Sequence, residues 1–386
     1  MLNRQNRARA AKRQPKRGLN GVAKGLIASL GVLSVGAMSL PSAHADDYAS
    51  MLQTARTMTP AKYAGPTTAA IAPKHLKVGV ITCLSVLHGC VSPALGVLHA
   101  GDKLGWTVKI YDGGGTPNKQ NAAILDAISS GANVIVTIAI DPNLIQLALA
   151  EAKKAGIPVV AGSNGIDTPN PVALTAPNGL GFAFDVGPDY GTLGRHIAQW
   201  MIADSHGTAN IALFSDKEFP SIRAQQIGVL QGLAECPKCV VSKPIYFTAT
   251  QIATELGQMT VGYLRNHPDV NYVFGAFDPP VAAQVTALMQ AGMMGQVKVI
   301  GGLGNQQNLA FIRSGRLQVA DAAYDNEYMG WAIVDQTIRL LNKQPLFEPH
   351  NENLPFVVLD KTNLPPPGAD WQANTGYQAK FLALWK

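Results

Sequence analysis

The sequence predicts an α/β protein made of two doubly wound parallel-sheet lobes. Three observations predict it. Short, nearly continuous apolar runs, such as residues 76–82 (LKVGVIT) and 133–140 (NVIVTIAI), have the composition of strands buried on both faces. Helix-length stretches that stop at Gly105, Gly131 and Gly156 separate these runs, and glycine ends helices because it accepts the left-handed conformation. The alternation then repeats beyond a Pro-, Asn- and Gly-rich stretch at 163–181. Strands that alternate with helices must pair in parallel through crossovers.

In the first half the reading places strands at 76–82, 106–111, 133–140 and 157–160. Helices fall at 93–104, 118–130 and 142–155. The helix at 93–104 carries Ala94, Val97, Leu98, Gly101 and Leu104 on one face. In the second half, strands are expected at 182–186, 210–214, 239–241, 271–275, 297–300 and 317–323. Helices are expected at 190–203, 221–235, 250–266, 279–291 and 305–314. A long helix at 326–341 and an extended run at 355–359 follow, a segment able to pass back between the halves. Residues 46–74, rich in Ala, Thr and Pro, read as an irregular extension.

The first 45 residues stand apart. Arg4, Arg7, Arg9, Lys12, Arg13, Lys16, Arg17 and Lys24 precede an apolar run at 25–38 and the small-residue site Ala43-His44-Ala45. That order predicts a secretory signal peptide cut before Asp46, and a periplasmic location. The run is too short to cross a bilayer, which needs about 20 apolar residues. Eight of the 31 Lys and Arg lie in this segment and none of the 25 acids does, so 23 bases face 25 acids beyond it, a net of −2. The basic balance of the whole chain therefore reflects targeting, and nucleic acid is not expected as a partner.

Several stretches resemble the type I periplasmic binding proteins of ABC importers, in particular the ribose- and galactose-type sugar-binding branch. They include Lys77-Val78-Gly79-Val80-Ile81, the entry Gly105-Trp106 with Val108, and Tyr111-Asp112-Gly113-Gly114-Gly115-Thr116-Pro117. Gly131-Ala132-Asn133-Val134-Ile135, Ala155-Gly156-Ile157-Pro158-Val159 and His267-Pro268-Asp269-Val270 belong to the same set. The resemblance runs from about residue 76 to 359 and rests on order and spacing. It implies two lobes joined by three hinge crossings, near 163–183, 322–326 and 350–356. Lobe one is then 75–180 plus about 325–352. Lobe two is 181–324 plus about 353–386, including the tail. It also implies a monomer that closes on a small molecule and delivers it to an inner-membrane permease paired with an ATPase, with no cofactor and no catalysis.

In open α/β sheets, ligands sit outside the carboxyl ends of the strands. The candidate contacts are therefore Ser85, His88, Asp141 and Asn164 from the first lobe. Phe219, Arg223, Phe277, Asp278 and Asn305 come from the second, and Tyr324 from a crossing. Arg223 stands where the sugar-binding branch has a ligand-contacting arginine; the plainer alternative is a surface arginine in a first helical turn. Asp278 before Pro279 reads as a helix N-cap. The branch's Asn and aromatic sugar contacts are missing from the first loop, 83–90, and its later polar contacts, an Asn, an Asp and a Gln, are replaced by Phe277, Leu303 and Ala322 or Ala323. With Leu84 these suggest an apolar cleft, and an aromatic or polycyclic ligand whose acid group meets Arg223.

The four cysteines form two local pairs, Cys83/Cys90 and Cys236/Cys239. Cys236-Pro237-Lys238-Cys239 invites a redox or zinc reading. It follows a helix, however, and has no second pair or His nearby in sequence, so a structural disulfide is expected. Local pairing is expected at both, because a link between lobes would block closure. The glycine runs 112–116 and 301–304 match neither a P-loop nor a dinucleotide fingerprint. Two rival functions remain: a sensor whose closed lobes dock on a chemoreceptor or sensor kinase, and a periplasmic enzyme on the same scaffold.

Overall fold

The computed structural model describes residues 43–166 and 181–386. The signal-peptide reading of residues 1–42 and most of the expected loop at 163–181 lie outside them. The first sheet is wholly parallel, in the order β2-β1-β3-β4-β5. Its strands are β1 (Lys77–Thr82), β2 (Thr107–Asp112), β3 (Val134–Ile138), β4 (Val159–Gly162) and β5 (Asp185–Val186). Every residue of β3 and β4 is buried, as their unbroken apolar runs require.

The second sheet runs β12-β11-β10-β9-β6-β7, with β8 also beside β6. Its strands are β6 (Asn210–Asp216), β7 (Val240–Val241), β8 (Ile245–Phe247), β9 (Tyr272–Phe274), β10 (Lys298–Leu303), β11 (Gln318–Tyr324) and β12 (Phe356–Asp360). All pairs are parallel except β11 with β12. β7 and β8 share one edge of β6, because Ser242 Oγ takes the Leu213 N–H at the gap between them. β8 was not expected from the sequence.

Several expectations need correction. Residues 46–56 are helical, within α1 (Ala43–Arg56). Tyr48, Met51, Leu52 and Ala55 recur at helical spacing and pack on the core. The first crossing falls later than expected, because β5 pairs with β4 and keeps the chain in the first lobe to Val186. α2 (His88–Lys103) starts before Pro93, which lies inside it. The helix expected at 142–155 is a 3₁₀ turn at Pro142–Leu144 followed by α4 (Gln146–Lys154). The one expected at 250–266 is likewise split: a 3₁₀ turn, then α7 (Leu256–Asn266). The tail ends in α11 (Tyr377–Leu384), which packs on first-lobe helix α10 (Asn326–Leu341), not on the second lobe.

Two helix pairs pack backbone to backbone. α10 crosses α2 at Gly330 and Gly96, where a Cβ on Gly330 would come within 2.4 Å of the Gly96 carbonyl carbon. In the second lobe α5 (Tyr190–Asp204) meets α6 (Pro220–Leu233) in the same way, and a Cβ on Gly228 would lie 2.2 Å from Gly191 O. Backbone cannot yield as a flexible side chain can. Gly330→Ala is therefore expected to cost about 1–3 kcal/mol. Gly262 lies in α7 with open space around its missing Cβ. Gly262→Ala should instead be neutral or stabilise by up to about 1 kcal/mol. Urea unfolding of both variants checks the contrast.

Candidate ligand-binding cleft

The carboxyl ends of β1, β3, β4, β6, β9, β10 and β11 converge on one cavity between the lobes. It is lined by Cys83, Leu87, Gly89, Cys90, Ala139 and Ser163 on one side, and by Phe219, Ser221, Ile222, Phe277, Leu303 and Tyr324 on the other. Its empty space, open solvent at the mouth included, is about 340 Å³. The walls are mostly carbon and sulfur. The Phe219 ring meets Phe277 edge-on at 5.9 Å, and Phe247 backs Phe277 at 6.3 Å. Hydroxyls gather at one end: Ser163 Oγ lies 3.0 Å from Tyr190 OH, and the Tyr190 ring meets Tyr324 edge-on at 5.7 Å. Burial keeps both phenols protonated, raised well above the ordinary tyrosine value.

Four strand exits at the cleft use left-handed backbone at residues that are not glycine. These are Ala139 (φ 54°), Ser163 (φ 64°), Ala276 (φ 69°) and Leu303 (φ 136°). Such conformations cost roughly 1 kcal/mol or more each, and persist where the surroundings over-determine them. Three of the four line the cavity. Beneath Leu303, the loop to α9 (Gln306–Arg313) hangs from two buried acids. Asp278 accepts the Asn305 N–H at 2.7 Å and Asp321 the Gly304 N–H at 2.9 Å. Burial raises both acids; the Asp321 charge and hydrogen bond raise Asp278 further, while the hydrogen bond from Asp278 lowers Asp321, so Asp278 is the one that keeps its proton.

The expected contacts divide into distinct groups. Phe219, Phe277 and Tyr324 line the cavity, as does Leu303. Arg223 does not: its guanidinium spans the mouth to Asp141 of the other lobe at 2.9 Å and also donates to Lys217 O. His88 Nε2 stands 2.8 Å from Asp370 Oδ2 in the tail. Ser85 is exposed and donates its N–H to Asp112, within the first lobe. Asn164 is buried against Asp185, and the neighbouring Ser163 takes the wall position instead. Asn305 precedes α9 without capping it. Asp278 is not an N-cap but the first residue of α8 (Asp278–Gln290), with its carboxyl turned to Asn305 and Asp321. Leu84 packs beside Gly115, and Leu87 reaches the cavity. Asp216, at the end of β6, is pushed up to about 7 by burial, partly offset by the Glu218 N–H it accepts.

Both local disulfides form, Cys83–Cys90 in the cavity wall and Cys236–Cys239 in the second lobe. Among the described residues no three His, Cys, Asp or Glu side chains group as metal ligands, and no helix is long and apolar enough to cross a membrane.

Residues 93–345 match the family model for a periplasmic binding protein domain. The chain belongs to that family. No sequence match is found among curated proteins. Solved structures share the fold of this binding protein at low identity. A solute-binding protein of an ABC transporter from Mycobacterium smegmatis, solved with bound glycerol, is 22% identical (TM-score 0.65). That match covers 77% of this chain and 100% of that one. One from Agrobacterium vitis with bound α-D-tagatopyranose is 18% identical over 76% and 97%, with a TM-score of 0.65. A chain of the XylFII–LytSN complex is 16% identical over 75% and 100%, with a TM-score of 0.63.

The pair Arg223–Asp141 is half-exposed, so its worth is about 0.5–1 kcal/mol. In a double-mutant cycle on unfolding, Arg223→Ala and Asp141→Ala should show coupling of about that size at low salt, shrinking as salt screens it. Simple additivity at low salt would mean that the pair does not couple the two lobes energetically.

Proposed function

We propose that this chain is the exported solute-binding component of an ABC importer, and that its ligand is a compact, mostly apolar molecule of about one ring with one or two hydroxyl-type groups. The cavity carries this reading. Leu87, Phe219, Ile222, Phe277, Leu303 and the Cys83–Cys90 disulfide supply the walls, while Ser163, Ser221 and Tyr324 supply side-chain hydroxyls. A free sugar presents more polar groups than this lining can pair, and each one buried without a partner costs about 1–3 kcal/mol. Asp141 already neutralises Arg223, so the ligand needs no acid of its own. The space is small, about 340 Å³ even with the open solvent at its mouth counted, which favours one ring over several.

Ligand contacts to both walls would favour the closed arrangement by their differential affinity, with no covalent change in the carrier. The bound glycerol and tagatopyranose of the two solute-binding structures support the transport role, while the departures in lining support a different ligand. Docking on a chemoreceptor or sensor kinase is the second reading, and the XylFII–LytSN complex shows a chain of this fold assembled with another component. Residues 1–45 have the order of a secretory signal, and the exported chain is expected to begin at Asp46. Intact mass of the protein from the periplasmic fraction checks that end.

Calorimetric titration tests the ligand class. Phenol, benzyl alcohol and related single-ring alcohols should bind at least about tenfold more tightly than ribose, galactose or glycerol, a difference of about 1.4 kcal/mol. Leu303→Asp should weaken the single-ring compounds. Tight binding of a free sugar with the aromatic set ignored would sink this reading.

A further inference from the structure

Each end of the chain crosses between the lobes, in addition to the three internal crossings after β5, β11 and α10. The N-terminal segment starts on the second lobe. There α1 packs on α5, Arg56 pairs with Asp360 at 2.6 Å, and Thr59 exchanges backbone hydrogen bonds with Phe356 at 2.9 and 3.0 Å. Four residues later the chain is on the first lobe. Tyr63 packs on Tyr328, Thr68 receives two hydrogen bonds from Arg339, and Pro73 O accepts Trp106 Nε1–H at 2.7 Å.

The C-terminal segment makes the same passage. On the second lobe Asp370 accepts the Gln306 N–H and Trp371 donates to Gly304 O, both at 2.8 Å. On the first lobe Ala373 donates to Asp325 and Trp385 Nε1–H to Asp335 at 2.7 Å, with the Trp385 ring stacked on Trp331. Asp370 Oδ2 also meets His88 of the first-lobe cleft loop, so this segment closes one flank of the cleft. The two segments then join on the first lobe, where Ala70 N–H donates to Leu384 O at 2.9 Å and Tyr63 meets Phe381 edge-on.

We propose that residues 57–76 and 361–376 form a clasp over the hinge that restrains lobe opening and keeps the empty protein near its closed arrangement. The slack is small. Three residues separate the Thr59 and Tyr63 anchors and one separates Trp371 from Ala373, while extended chain spans at most about 3.3–3.6 Å per residue. A binder already near its closed form loses less affinity to the conformational step, and exchanges ligand through a narrower opening. The inference rests on the two-lobed carrier reading but not on the identity of the ligand.

The test uses the full chain, folded first and cut afterwards. Recognition sequences for a specific protease are inserted after Lys62 and after Gln372, in separate and combined variants. Spin labels at Asp126→Cys on the first lobe and Gln258→Cys on the second report the distance between lobes without ligand. The uncut protein should give one narrow distance distribution. Cutting both sites should broaden it and move it outward by several ångström, and the uncut His88→Ala/Asp370→Asn variant should show a smaller outward shift. If both cuts lower thermal stability but leave the distribution unchanged, the segments are only structural and the clasp is wrong. A broad, open distribution in the uncut protein would overturn it equally.

Discussion

The buried ion pair between Asp335 and Arg339 on α10 is the fixed point of this architecture. Arg339 Nε lies 2.6 Å from Asp335 Oδ2, and both side chains are almost completely shut off from solvent. Two charges in such a place are tolerated only if their remaining hydrogen-bonding capacity is filled. Here the chain ends fill it: Thr68 accepts from the guanidinium and Trp385 donates to the carboxylate. Glu352 lies in the same pocket, and burial together with the Asp335 charge holds it well above the usual carboxylate range. The cluster thus draws the N-terminal segment, the C-terminal helix and the return to β12 onto one face of α10. Because α10 is pressed backbone to backbone on α2, whose first turn carries Cys90, this arrangement connects with the cleft wall.

At the cleft itself the governing constraint is the satisfaction of backbone groups where strands stop. Parallel strands from two sheets end face to face, and their exits must turn sharply to leave room for a ligand. Left-handed residues at Ala139, Ser163, Ala276 and Leu303 make those turns, while the Asp278–Asp321 pair takes up the N–H groups of the 304–305 turn. Part of the polar inventory of this region is thereby committed to holding loops. The cavity lining left to a ligand is mostly carbon and sulfur with a few hydroxyls. A fold shared with sugar-bound solute-binding proteins thus carries a mostly apolar lining in this chain.

Much of the scaffold was legible because its strands carry a strong signal. The runs at 76–82, 133–140 and 210–214 are apolar on both faces, and Gly105, Gly131 and Gly156 end the helices before them or between them. Weaker elements were lost for equally physical reasons. α1 shows its stripe only through Tyr48, Met51, Leu52 and Ala55 among polar neighbours, and β5 is two residues long. The tail's role depends on partners about fifty residues or more away, such as Asp335 for Trp385, which local pattern cannot reveal. Within the site, strand-end logic selected the right loops but not always the right side chain. A left-handed Ser163 turns the wall position to itself rather than to Asn164, and Leu87 rather than Leu84 reaches the cavity. Arg223 had a suitable location for a ligand contact, yet Asp141 of the opposite lobe claims it, a pairing of residues 82 apart that local pattern cannot reveal.

We propose that the cleft of this binding protein selects a compact apolar solute. Native mass spectrometry of protein isolated from the periplasm of the cells that make it, without refolding, tests that most directly, because a closed cleft retains what it selects. A retained single-ring compound of low polarity, released on denaturation and identified by its fragments, is the expected result. A retained hexose, pentose or polyol would contradict it.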